Sequence, residues 1–199
     1  MPSLVGSEMC IRDRLEDMFI ANGFGHSRRN LMYNDFIIIG PISDPLGISS
    51  SIDIKSVFQK LSKGNAQFIS RGDNSGTNES ELDKWNLISF DPLKYSGKWY
   101  LESGQSMGST LNMAISLNAY TYSDRSTWLR FKNKHNHVIL YNNRNELRNN
   151  YSIIKISEDN CPYINHKGAN LFYDWILSTD SKALIKLYKH NNEPMFFID

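Results

Sequence analysis

What the 199-residue chain lacks excludes several classes of protein. Its two cysteines, Cys10 and Cys161, cannot make a disulfide framework or a cysteine-held metal cluster, and such sparing use suits the cytosol and a bacterial periplasm equally. Neither charge is in excess: 22 Lys+Arg stand against 21 Asp+Glu, for a net charge of +1 and a pI of about 7.8. With no general basic field, nucleic acid is not an expected partner. The longest strongly apolar run, Phe36 to Ile39, is far shorter than the roughly 20 residues that cross a bilayer, so no direct membrane insertion is expected. Residues 1–14 hold no apolar core of the kind a signal peptide carries. The glycine–lysine–threonine ending of a Walker loop is absent, and so is a serine nucleophile elbow. Five histidines (His26, His135, His137, His166 and His190) are scattered. His135 and His137 could be two ligands on one strand face, but no neighbouring carboxylate or cysteine completes a set. The histidines are expected at the surface, and neither metal nor cofactor is expected.

What is present reads as globular: 40% hydrophobic and 22% charged residues, a length for one domain or two lobes of one fold, and burial of about 70% of the unfolded surface. Met1 to Arg14 (MPSLVGSEMCIRDR) shows neither alternation nor a helical stripe, and resembles translated sequencing-adapter read-through; it is read as a non-native segment and set apart from the fold. Beyond it, Leu15 to Asn22 suggests the end of a short helix stopped by Gly23 and Gly25. Asn30 to Gly40 is the best strand, bounded by Gly40-Pro41, and Pro41 to Ser51 is loop. Ile54, Val57, Phe58 and Leu61 repeat at helical spacing up to Gly64, Ala66 to Ile69 is a short strand, and Glu79 to Leu87 forms a helix. Trp99 to Leu101 reads as a strand, Ser109 to Asn118 as a helix, and Ala119 to Tyr122 as a strand. A helix through Trp128 to Phe131 follows, then strands at His137 to Tyr141 and Tyr151 to Ile156. Asn170 to Leu187 is predicted as one long amphipathic helix with Leu171, Trp175, Leu184 and Leu187 on one face. Strands alternating with helices give an α/β fold.

The chemistry concentrates in three polar turns. Ser70-Arg71-Gly72-Asp73-Asn74-Ser75-Gly76-Thr77 lies where a strand ends and a helix begins, the place where open α/β sheets bind ligands. Its glycines permit close backbone approach, Ser70, Ser75 and Thr77 offer hydroxyls, and Arg71 offers a charged fork. The N–H groups that open the next helix, with their partial positive charge, would complete an anion site, although these residue types also cap helices where nothing binds. Gly104-Gln105-Ser106-Met107-Gly108-Ser109-Thr110 is a second strand–turn–helix junction, and the pair makes a convergent oxyanion pocket plausible. Ser123-Asp124-Arg125-Ser126-Thr127 is a third, read as structural. Asp73, Glu79 and Glu102 are read as capping turns or neutralising Arg71.

Together these blocks carry a resemblance. From Leu15 to Asp199 the chain resembles the periplasmic tungstate-binding proteins of ABC importers, within the type 2 periplasmic binding protein superfamily. The match lies in Tyr33-Asn34-Asp35-Phe36 through Gly40-Pro41, in Ser70 to Thr77, in Trp99-Tyr100 through Gly104-Gln105, Met107-Gly108 and Thr110 to Ala114, and in Tyr120-Thr121 through Asp124-Arg125 to Thr127. The resemblance implies two α/β lobes: 41–150 as one, and 15–40 with 151–199 as an incomplete remainder of the other. Tungstate, or the similar oxyanion molybdate, would lie in the cleft between them. It implies ligand contacts from Ser70, Arg71, Gly72, Ser75, Gly76 and Thr77, with Gly104, Gln105, Gly108 and Thr110 lining the same cleft, and the Asn34–Asp35 block serving structure at the first crossover. It implies a monomeric binding protein, not an enzyme, that delivers its ion to an importer permease subunit. The full-length protein would be periplasmic or lipid-anchored at the cell surface.

This sequence departs from the family at Asn74, where an acidic residue is usual, at Asn78, where histidine is usual, and at Ser106 and Ser126, where glycine is common. The family's threonine/serine-rich anion motif near the mature N-terminus is not found here, so the chain as written is expected to bind weakly or not at all. Phosphate or sulfate binding, an effector-sensing regulator domain and a phosphoryl or acyl transferase are the alternatives. The regulator lacks a helix-turn-helix in the sequence, and the enzyme lacks a histidine near Ser70 to Thr77.

Overall fold

The computed structural model describes residues 11–198, with side chains from Glu16 onward. Cys10 and residues 1–10 of the segment read as non-native lie outside the described residues, while the first helix, α1 (Ile11–Ala21), begins within that segment. The chain continues through β1 (Gly25–Pro41), α2 (Ile54–Leu61), β2 (Phe68–Ser70), α3 (Gly76–Leu87) and β3 (Tyr100–Glu102). It then forms α4 (Met107–Ser116), β4 (Tyr120–Asp124), α5 (Arg125–Arg130), β5 (His137–Tyr141) and β6 (Arg148–Ile156). Two helices, α6 (His166–Ile176) and α7 (Thr179–Leu187), and a small hairpin of β7 (Lys189–His190) and β8 (Glu193–Pro194) complete it. The α/β class expected from the alternation of elements is the one found.

The main sheet runs β3-β2-β4-β1-β5, with β6 added to the early part of β1. β2 is parallel to β3 and β4, whereas β1 is antiparallel to β4, β5 and β6. β1 belongs to two ladders in succession: Gly25 to Asp35 pairs with β6, with Tyr33 also bridged to Phe197 on its other side, and Phe36 to Pro41 pairs with β4 and β5. The hydrophobic pattern explains the second part. Strand side chains alternate faces, so Phe36 and Ile38 pack with Val57, Phe58, Trp85 and Tyr122 under α2 and α3, while Ile37 and Ile39 pack with Met107, Leu111 and Trp128 under α4 and α5. Trp85 centres the larger core, edge-on to Phe58 at 4.6 Å and to Phe68 at 5.6 Å. α2 starts at a capping box in which Asp53 accepts from Ser56 N at 2.7 Å, a reciprocal arrangement that satisfies otherwise orphaned donors.

Three expectations are corrected. The predicted single helix from Asn170 to Leu187 is two, because Ser178 ends α6 and caps α7, its hydroxyl accepting from Ser181 N. Cap chemistry overrode the apolar spacing there, and the face with Leu171 (64% exposed) and Leu187 (72% exposed) is uncovered by the described residues. Gly25 opens β1 rather than stopping α1; Gly23, at φ 76°, provides the left-handed turn. His137 is buried rather than exposed: its Nε2 lies 3.1 Å from the Ala119 carbonyl, and burial holds its pKa below the ordinary value. Among the described residues no helix is long and apolar enough to cross a membrane.

Candidate functional site

The sheet order places the three polar turns. From β2 the chain passes through α3 to β3 on one side, and from β3 it passes through α4 back to β4 on the other, so α3 and α4 lie on opposite faces. Adjacent parallel strands whose following helices part in this way open a crevice at their carboxyl ends, the topological switch point. Ser70–Thr77 and Ser103–Thr110 are the two turns that leave β2 and β3 there, and Asp124–Thr127 leaves parallel β4 at the same edge.

The first two turns are bonded to one another. Ser103 N donates to Ser70 O at 3.0 Å, Gly104 N to Arg71 O at 2.8 Å, and Ser103 Oγ to the same Arg71 carbonyl at 3.2 Å. Gly72, at φ 60°, is required by position as well as by backbone sign: a Cβ there would stand 2.7 Å from Glu102 Cβ. Gly104 also has φ 60° but faces open space. Thr110 is buried, its Oγ1 2.7 Å from Ser103 Oγ and 3.1 Å from the Ser106 carbonyl. It fastens the second turn, whereas Gly104 and Gln105 are exposed on it.

Each turn ends at a helix start. Ser75 caps α3, its Oγ accepting from Asn78 N, and helix geometry leaves the N–H groups of Gly76 and Thr77 without intrahelical acceptors. At α4 the cap position is Ser106, with no side-chain cap bond, followed by Met107 and Gly108; nothing would obstruct a Cβ at Gly108. Partial positive charge therefore collects at two helix starts around a cross-linked pair of turns. Arg71 adds full charge: its Nη2 bridges to Asp73 Oδ2 at 2.5 Å, and its Nε is a buried donor with no partner among the described residues. Burial alone would raise the Asp73 pKa, but bonds from Ser75 and the Arg71 guanidinium outweigh it and hold the carboxyl below its ordinary value.

Ser70, like Thr110, is buried with its hydroxyl engaged inside the protein. It is fully buried at the end of β2, where its hydroxyl donates to Glu81 Oε2 at 2.6 Å and accepts from Asn78 Nδ2 at 3.1 Å. Glu81 also accepts from Trp85 Nε1 at 2.9 Å and Tyr100 OH at 2.8 Å. Desolvation raises its pKa to about 7 despite those three donors. Sequence reasoning missed this cluster; its one signal is a carboxylate four residues before Trp85, on the buried face of an otherwise polar helix.

The third turn serves structure, as expected. Asp124 caps α5, accepting from Thr127 N at 2.8 Å and Thr127 Oγ1 at 2.6 Å. Arg125 reaches back to fully buried Asp35 on β1, Nη2 to Oδ2 at 2.6 Å and Nε at 2.8 Å. Asn34 bonds Ser126 Oγ at 2.9 Å and is itself held by Asn149 at 2.7 Å. Among the described residues no three His, Cys, Asp or Glu side chains are grouped to hold a metal ion.

The comparisons point to one family. Residues 4–180 match the family described as a PBP superfamily domain. The chain is 39% identical over 175 residues to the tungstate-binding protein TupA of Peptoclostridium acidaminophilum, covering 87% of this chain and 60% of that protein. A crystal structure described as the tungstate ABC transporter from Geobacter sulfurreducens is similar at 39% identity and a TM-score of 0.76, with 88% of this chain and 73% of that one covered. The tungstate-binding protein TupA from Desulfovibrio alaskensis is similar at 34% identity and a TM-score of 0.79, covering 94% and 75%.

Proposed function

The chain belongs to the PBP superfamily, and from that premise we propose that it is the oxyanion-capturing part of a solute-binding protein for an ABC importer, with tungstate as its ligand. The observation that carries this reading is the unpartnered, buried Nε of Arg71, on a turn that leads into one helix start and is hydrogen-bonded to the turn that leads into the other. A tetrahedral dianion leaves water only where many fixed donors replace its hydration, and charge-assisted bonds are the strong ones. Arg71, the N–H groups of Gly76 and Thr77, and the hydroxyls of Ser75 and Thr77 would supply one side. Gly72 allows the backbone to come close. Gly104, Gln105 and the α4 start at Gly108 would line the opposite wall. Ser70 and Thr110, whose hydroxyls are engaged inside the protein, act as supports rather than ligands.

In this reading 41–150 forms one lobe, and 15–40 with 151–199 forms part of a second that supplies further donors. The ion is bound and handed, unchanged, to a permease subunit by a monomer outside the cytoplasmic membrane; no chemical step is catalysed. The test is calorimetric titration of tungstate, molybdate, sulfate and phosphate into the full-length gene product. Tight binding of tungstate with at least tenfold weaker sulfate and phosphate is expected. A folded protein silent to all four would contradict the reading.

A further inference from the structure

A buried carboxylate backs both turns without touching the anion site itself. Glu81 is 1% exposed, yet it joins three elements: Ser70 at the end of β2, Tyr100 at the start of β3, and its own helix through Trp85. Ser70 leads directly into Arg71, and Tyr100 into the turn that begins at Ser103. We infer that Glu81 is the positioning residue of this site: it clamps the strands that lead into both turns, and its charge state sets how well those turns receive an anion. The inference rests on the oxyanion reading proposed for this site.

Two physical effects act together. A negative charge held beneath Ser70 in a low-dielectric core repels an anion bound at the turn on the far side of that residue. The hydrogen bonds also permit a neutral form. A proton taken from solvent onto Oε2 makes Glu81 the donor to Ser70 Oγ, whose own hydrogen turns away, while Asn78 Nδ2 still donates there. Trp85 Nε1 and Tyr100 OH both bond Oε1 and need not move. Burial favours this form and lifts the pKa to about 7.

Other ionisable groups surround the cluster. On β3 these are Tyr100 itself and Glu102, whose charge also favours the neutral acid. In the turn, Arg71 and Asp73 pair with each other. Of the elements packed against α3, β4 brings Tyr122 to Ser80, α2 carries Lys55 and Lys60, and α1 carries Glu16 and Asp17, both within ion-pair distance of Arg28. By linkage, an anion that favours neutral Glu81 must also raise its pKa, so binding takes up a proton near neutrality.

The experiment compares the full-length protein with Glu81→Gln, which reproduces the neutral acid: its amide oxygen can accept from Trp85 and Tyr100, and its amide nitrogen can donate to Ser70. Wild type should bind tungstate about three- to tenfold more tightly near pH 6 than near pH 8.5, and Glu81→Gln should bind at the tighter level throughout. The Trp85 indole N–H resonance should titrate with a midpoint of about 7 in wild type and not in the variant. Equal pH slopes in the two proteins, or an indole resonance that does not titrate, would overturn the inference. Should no oxyanion bind, the function reading fails separately. Hydrogen exchange of the Arg71–Thr77 amides, corrected for intrinsic rates, then decides: pH-dependent protection in wild type alone supports the clamp, and equal protection overturns it.

Discussion

The middle of the chain and its two flanks differ in how they are held. Between Asn34 and Asn149 lie almost all the buried side chains, in cores on both faces of one sheet. The flanks meet through the long β1–β6 ladder, with Tyr173, Ser181 and Met195 their buried side chains on the C-terminal side. Leu171, Phe172, Trp175, Leu184, Leu187 and Tyr188 remain exposed there. The polar turns of the candidate site belong to the middle. A site can therefore rest on a complete core even where neighbouring apolar surface is uncovered, because its donors are fixed by the strands and helices directly behind them.

Substitutions in each region would break or sharpen that contrast. Trp85→Ala should cost about 4 kcal/mol in urea unfolding, since it empties the centre of the larger core; Trp175→Ala, at 48% exposure, should cost about 1–2 kcal/mol. Comparable losses from both would erase the distinction. Next is the pH dependence from Glu81. Its folded pKa of about 7 lies above the ordinary 4.5, so the folded state holds the proton more tightly. The stability it contributes is present below pH 4.5 and is lost as pH rises through 7, by up to about 3 kcal/mol. Melts of Glu81→Gln should lack that slope.

Arg125→Met tests the edge of the middle region, where β1 passes from its β6 ladder to its β4 ladder. It leaves Asp35 buried without its main partner and should cost about 3 kcal/mol. Arg144, 3.7 Å from the other oxygen, softens the loss. Gly72→Ala should cost about 1–2 kcal/mol through the positive φ and the clash with Glu102; its larger effect should be weaker anion binding, measured by titration.

Much of this was legible in the sequence because it is local. Gly40-Pro41 ended a β-branched strand, and hydroxyl and glycine residues marked each strand–turn–helix junction where it occurs. The break at Ser178 was written there too, as Ser178-Thr179-Asp180, but apolar spacing across Leu171 to Leu187 masked it. What could not be read depends on long-range placement. Ser70 looks like a free hydroxyl until α3 brings Glu81, 11 residues away, against it. Asp35 meets Arg125 only because β1 and β4 pair, 90 residues apart in sequence. His137 is buried for the same kind of reason, through the Ala119 carbonyl.

The proposed role of Arg71 is that of charged contact in an oxyanion site built on the middle region. It is tested most directly by titrating tungstate into the full-length protein with and without Arg71→Ala, after checking that both unfold at similar urea concentrations. Loss of a charge-assisted contact should weaken binding by about 10- to 100-fold. Unchanged affinity in a folded variant would contradict the account.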